Sequence, residues 1–292
     1  MNSASPMMIL GAGGMLGRAL AGAAAAAATP LVALAHQDCD ITQSAQLEAA
    51  LRQHRPAVVI NCAAISDVDR CQHEPDLAMA VNAQAVGPLA ELVTAAGVRL
   101  VHFSSDFVFD GQTDRPYTES DQPRPLSVYG QSKYLSEQLL TRHCPAGRWL
   151  LIRTSGLFGP HGRCFPRTVL EQAGRGQPLQ VVNDLVMCPT YVADLAAMVY
   201  DLISRGVGGV WHVCNTGPTT WLEYARAILR EFAIDIPLQA VTSQRWRQIR
   251  PGQAPRPAYS VLDCSKLSNL VGQVPRKWTE ALRDYRTLVR PI

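Results

Sequence analysis

Lysine is scarce in this chain: it occurs only at Lys133, Lys266 and Lys277, and nearly all other fixed positive charge is arginine. A lysine inside a patterned stretch therefore carries information. Across 292 residues the net charge is only +3, and the basic residues form no run, which argues against a surface built for nucleic acid or for a membrane. The eight cysteines (39, 62, 71, 144, 164, 188, 214 and 264) contain no Cys-x-x-Cys pair. Several sit inside apolar runs, so they read as reduced thiols used as small core residues, with no metal site. The alanine run at 21–28 is too short and too early to cross a bilayer, and residues 1–6 have neither a basic nor an apolar leader region. The expectation is a cytoplasmic protein.

What is present is a chain with 47% hydrophobic residues, enough for a full core and a smaller lobe. The glycines Gly11, Gly14 and Gly17 lie between the apolar run 7–10 and the alanine-rich stretch 18–28. That order reads strand, tight turn, helix. Glycine at these positions permits the turn, lets backbone N–H groups approach a pyrophosphate, and lets the helix pack closely on the strand.

Downstream, apolar strands at 31–35, 57–63, 99–104 and 149–154 alternate with helices at 44–54, 76–96 and from about 125 to 142. Such alternation predicts an α/β, Rossmann-type doubly wound parallel sheet covered on both faces. Its ligands belong at the carboxyl ends of the strands, in residues 11–17, 40–41, 61–66 and 104–106. Beyond 154 the pattern loosens: loops at 156–167 and 245–257, a short strand at 179–182, helices at 169–173, 192–203, 221–232 and from 279, and a return to the sheet at 209–214. The predicted division is a dinucleotide-binding domain, 1–160, rejoined by about 190–215, and a C-terminal substrate-binding lobe from 161–189 and 216–292.

The second strand ends in Ala35-His36-Gln37, without the carboxylate that would receive an adenosine 2′-hydroxyl and repel a 2′-phosphate. NADPH is thereby permitted, with His36 near the phosphate, while Asp38 and Asp40 keep NADH open. Tyr129 and Lys133 stand four apart, on one face of a helix. With Ser105 at the end of the fourth strand they supply a hydroxyl to orient a carbonyl, a phenol to exchange its proton, and an ammonium to lower the phenol's pKa.

These stretches resemble the dTDP-4-dehydrorhamnose reductase family, in the nucleotide-sugar branch of the short-chain dehydrogenase/reductases. The resemblance is carried over nearly the whole chain by Gly-Ala-Gly-Gly-Met-Leu-Gly (11–17), Cys-Asp-Ile-Thr (39–42) and Asn-Cys-Ala-Ala-Ile-Ser-Asp-Val-Asp (61–69). It continues in Ser-Ser-Asp-Phe-Val-Phe-Asp-Gly (104–111), Val-Tyr-Gly-Gln-Ser-Lys (128–133), Arg-Thr-Ser (153–155), Pro-Thr (189–190), Thr-Trp (220–221) and Arg-Pro-Ala-Tyr-Ser-Val-Leu-Asp (256–263). It implies reduction of a 4-keto-6-deoxy nucleotide sugar by NADPH or NADH, with dTDP-4-dehydro-L-rhamnose the first candidate. Gly11, Gly14, Met15, Leu16, Gly17, Asp40, Ile41, Ala63, Ala64, Ile65, Tyr129 and Lys133 would hold the cofactor. Ser105, Asp106 and the position of Gly156 would meet the sugar.

Two departures bear on the sugar. The family usually has tryptophan where Gly156 stands, and its Asp-Gln-x-Gly-x-Pro-Thr reads Asp-Leu-Val-Met-Cys-Pro-Thr at 184–190. A dehydratase fits less well, since Phe107 stands where that branch has glutamate, and an epimerase lacks its acid at 35–36. The alternative from another class is a non-catalytic NADP-binding subunit similar to the methionine adenosyltransferase β subunit. A homodimer is an assembly the sequence leaves open.

Overall fold

Strand and helix alternate from the first described residues of a computed structural model, which describes residues 5–176 and 178–289. Most of the 1–6 stretch and the end of the 216–292 segment lie outside them. In chain order come β1 (Met7–Leu10), α1 (Met15–Ala26), β2 (Leu31–Leu34), α2 (Ser44–His54), β3 (Val58–Asn61), α3 (Val68–His73), α4 (Pro75–Met79) and α5 (Val86–Ala95). Next are β4 (Arg99–Ser105), α6 (Val128–His143), β5 (Trp149–Thr154), β6 (Leu157–Phe158), α7 (Phe165–Ala173), β7 (Leu179–Val182), β8 (Val186–Met187) and β9 (Thr190–Tyr191). The chain closes with α8 (Val192–Ser204), β10 (Gly209–His212), β11 (Thr219–Thr220), α9 (Trp221–Glu231), β12 (Leu238–Val241), α10 (Ser243–Ile249), α11 (Ser265–Val271) and α12 (Trp278–Leu288).

Six of the strands form one sheet in the order β10-β5-β4-β3-β1-β2, every pair parallel. The expected Rossmann-type sheet is therefore present, and its order reverses between β1 and β3. Parallel strands need crossover helices, so both faces are covered. On one face Leu20 of α1 and Leu195 and Val199 of α8 pack against Ile9, Ile60 and Val101. On the other, Leu47 of α2, Leu89 of α5 and Leu140 of α6 pack against Met8, Val59 and Leu100. Each such aliphatic side chain contributes about 1.5–3 kcal/mol when withdrawn from water. A third cluster joins α7, α9 and α12 around Tyr224 and Tyr285.

Several elements differ from the sequence reading. The helix expected at 76–96 starts at Pro75 and is interrupted by a π-helical segment, Ala80–Gln84. The span Pro75–Ala95 is apolar and long enough to cross a membrane, yet half of it is buried, and α5 packs on α2 and α6. The loop expected at 245–257 overlaps α10, which has no buried residue and hence no apolar periodicity; Thr242 caps it by accepting from the Arg245 N–H. β12 pairs in parallel with β7, a connection that leaves no local signal. α11 lies in the segment assigned to the lobe, but its Leu267 packs with the sheet cluster.

Candidate active site

The reversal of strand order opens a crevice at the carboxyl ends of β1 and β3, and the glycine turn fills its floor. Gly11 has φ +74°, and a Cβ there would lie 2.6 Å from the Ala63 nitrogen; a Cβ on Gly17 would lie 2.5 Å from the Gly11 oxygen. Any larger residue would push the turn off the end of β3. Above the turn, α1 begins at Gly14 with no side-chain cap and no acid in its first turn. Its first-turn N–H groups are thus free to meet an anion, with the helix dipole favouring negative charge.

A hollow of about 400 Å³ extends from this helix end. Gly14, Met15, Leu16 and Gly17 line it, as do Ala63 and Ala64 just beyond β3 and Ser105, Asp106, Tyr129, Lys133 and Gly156. Four of the expected cofactor residues do not line it. Gly11 packs against the Cys62–Ala63 backbone, and Ile41 is buried in the core. Asp40 turns its carboxylate onto the Thr42 N–H (2.9 Å) and hydroxyl (2.8 Å), bonds that hold its pKa below the usual range. Ile65 has both backbone groups bonded to the side chain of Asn82, its N–H at 2.7 Å and its carbonyl at 3.0 Å. His36 is exposed at the end of β2.

Asp106 is the most heavily bonded carboxylate in the hollow. It is 2% exposed and accepts from the hydroxyls of Ser105 (2.8 Å), Ser155 (2.7 Å) and Ser260 (2.6 Å). Burial raises its pKa and the three hydroxyls oppose the rise. The Ser105 oxygen also accepts from the Phe107 N–H at 3.2 Å, which fixes the hydroxyl's direction.

Tyr129 stands in the first turn of α6, which Ser127 caps by accepting from the Gly130 N–H. Desolvation pushes its phenol above the ordinary range, and the Ser105 hydroxyl beside it opposes the rise. Lys133, one turn on and 3% exposed, is lowered to about 8 by burial, with the Glu137 carboxylate pulling the other way. The Tyr129 phenol thus stays protonated through neutral pH, while Lys133 titrates close to it.

A hydrogen-bonded chain joins the two halves of the site. Ser136 donates to the Lys133 carbonyl at 2.6 Å, so its oxygen accepts from His102 Nε2 at 3.0 Å. His102 Nδ1 then accepts from the Asn61 amide at 3.2 Å, and Asn61 Oδ1 accepts from the Ala63 N–H at 3.1 Å. Burial keeps His102 neutral, its pKa well below the usual value, which suits this single-proton tautomer. Asn82, in the π segment, also donates to Ser132 of α6 at 3.1 Å. The sequence places Asn61 in the ligand stretch 61–66 without a role of its own, and gives no role to Asn82, His102, Ser155 or Ser260. An asparagine within the apolar run 77–90 was the one legible signal, since a buried amide needs partners.

A second hollow of about 650 Å³ shares Arg163, Phe165, Leu185, Trp221 and Arg256 with the first. Arg247, Arg250 and Trp246 line it as well. Arg256 is held by Asp69 of α3 at 2.9 Å, and the same carboxylate accepts from the Ala254 N–H at 3.0 Å.

Residues 5–290 match the family described as RmlD substrate binding domain. The chain is 38% identical over 288 residues to a dTDP-4-dehydrorhamnose reductase of Mycolicibacterium smegmatis, covering 96% of this chain and 85% of that one. It is 37% identical over 286 residues to a probable dTDP-4,6-dihydroxy-2-methyloxan-3-one 4-ketoreductase of Streptomyces antibioticus, covering 95% and 93%. Among solved structures, the dTDP-4-dehydrorhamnose reductase of Bacillus anthracis in complex with NADP superposes with a TM-score of 0.92 at 30% identity, covering 98% of this chain and all of that one.

Proposed function

This chain belongs to the RmlD substrate binding domain family, and from that premise we propose that it reduces the 4-keto group of a nucleotide-activated 6-deoxy sugar, dTDP-4-dehydro-L-rhamnose being converted to dTDP-L-rhamnose. The observation that carries this reading is that Ser105, Tyr129 and Lys133 line the same hollow as the uncapped start of α1. The relatives named as reductases favour it over the non-catalytic binding reading.

The crevice suits a dinucleotide: the crowded glycine turn leaves no side chain between the α1 N–H groups and a pyrophosphate. Gly14, Met15, Leu16, Ala63, Ala64, Tyr129 and Lys133 would hold it, with Asp40 and Ile41 reaching it only at the adenosine end. When bound, NADPH or NADH supplies the hydride that reaches the keto carbon. Ser105 would orient the carbonyl and Tyr129 would give its phenolic proton to the developing alkoxide. Lys133 would favour loss of that proton and hold the nicotinamide ribose. Asp106 would receive a sugar hydroxyl. In the second hollow, Arg163, Arg247 and Arg250 would meet a diphosphate, with Arg256 already held by Asp69, and Trp221 and Trp246 would meet a base.

We take the substrate lobe as 161–189 and 216–292 without α11. A homodimer is the assembly to test first, by sedimentation. Thiols that are all unpaired among the described residues suit the cytoplasm. The decisive experiment mixes purified protein with NADPH or NADH and a panel of dTDP-, GDP- and UDP-4-keto sugars and follows nicotinamide absorbance. Turnover with a dTDP-4-keto-6-deoxy sugar is expected. Cofactor binding without turnover on any of them would return the chain to the regulatory reading.

A further inference from the structure

Resting on the reading just given, we infer that Met187 is the residue that makes this enzyme select a 6-deoxy sugar. The two departures from the family pattern, 31 positions apart, meet in space. Gly156 follows β5 with φ +54°, and a Cβ built on it would lie 3.2 Å from Met187 Sδ and 3.2 Å from Pro189 Cα. A side chain at 156 would be strained by the positive φ and would press on the methionine, which would have to give by a few tenths of an ångström for a Cβ and by more for a larger group. Where the family pattern has tryptophan at the first position and glycine at the second, this chain has glycine and methionine. The apolar surface is supplied from β8 instead of from the end of β5.

Met187 lines the hollow along with Ser105, Asp106 and Tyr129, and is 3% exposed. Its backbone is held from both edges. Met187 pairs with Thr219 of β11, while the N–H and carbonyl of neighbouring Val186 bond to Ala258 and Ser260 at 2.8 Å each. The segment 258–260 that bonds Val186 also carries the Ser260 hydroxyl that reaches Asp106. The thioether is thus set in a rigid frame relative to the carboxylate that faces the sugar.

A thioether donates no hydrogen bond and accepts only weakly. The part of the substrate beside it must be apolar, and in a 4-keto-6-deoxy hexose C6 is the only carbon that bears no oxygen. A 6-hydroxyl placed there would lose its water and find no partner.

The test titrates the NADP-loaded protein with dTDP, dTDP-L-rhamnose and dTDP-L-mannose, the last two differing only in the 6-hydroxyl. The parent protein is expected to prefer the rhamnosyl compound by roughly 10- to 100-fold, the range a hydrophobic pocket achieves against an added hydroxyl. Met187→Gln, close in shape but able to bond a hydroxyl, should bring the ratio down at least fivefold. Met187→Ala, which admits water beside C6, should also lower it and serves if the glutamine variant does not fold. Equal binding of the two sugars by the parent, or an undiminished ratio in a folded variant, overturns the assignment of Met187 while leaving the reductase reading standing. Failure of dTDP and both sugars to bind overturns both.

Discussion

Glu137 and Arg153 face each other through two hydrogen bonds, 2.9 Å from Nε and 2.7 Å from a terminal nitrogen, with side chains only 6% and 5% exposed. The pair fastens α6, which carries Tyr129 and Lys133, to β5. Arg153 also lies over the Phe109 ring, 5.2 Å from its centroid. Removing one partner leaves the other charge buried without compensation, which costs far more than the pair is worth as a unit. Glu137→Gln should therefore destabilise the protein by about 3–5 kcal/mol, read by chemical denaturation. A loss under about 1 kcal/mol would mean that water reaches the guanidinium.

The pH dependence of reduction follows from Lys133. Burial lowers its pKa to about 8, so it is a cation below that pH and neutral above it, while the Tyr129 phenol remains protonated throughout. For the cofactor-loaded enzyme the limb will shift with the added charges, but in kcat/KM for cofactor, which reports the free enzyme, activity should fall as pH rises through about 8. Glu137→Gln removes the carboxylate that favours the cation and should move the limb to lower pH. A flat profile well beyond that region would remove Lys133 from the rate.

Tyr129→Phe deletes one hydroxyl and keeps the ring packed edge-on to Phe107 at 5.7 Å. The turnover number should drop on the order of a hundredfold or more, as general acids do, with cofactor affinity little changed. Lys133→Met should lower both. Near-parental turnover in both variants would show that the helix face is merely structural.

Cofactor choice is tested at His36. It is exposed at the end of β2, where a carboxylate would oppose a 2′-phosphate. His36→Asp should weaken NADPH roughly tenfold relative to NADH, about 1.4 kcal/mol, by fluorescence titration. Equal effects on the two cofactors would place residue 36 away from the ribose.

What the sequence determined by itself was local chemistry and the alternation that builds the sheet. Glycines at 11, 14 and 17, a serine closing β4, and a tyrosine and lysine one helical turn apart are legible because each depends on neighbours within a few residues. Apolar runs spaced by amphipathic helices permit little besides a covered parallel sheet, so β1 and α2 kept the limits read for them. Tertiary structure decided the rest. Ser155 and Ser260 reach Asp106 across 49 and 154 residues, and no spacing rule encodes a hydrogen bond between segments that meet only after the crossovers and the lobe have folded. The same holds for Asn82, whose partners Ile65 and Ser132 lie 17 and 50 residues away. α10 escaped because a helix with no buried face has no apolar period, and α11, in a segment the sequence gives as a whole to the lobe, packs its Leu267 into the sheet cluster, a contact that no local pattern reports. Gly156 and Met187 were each visible as departures, but that the Met187 sulfur lies 3.2 Å from where a Cβ on Gly156 would stand is a fact of distance alone.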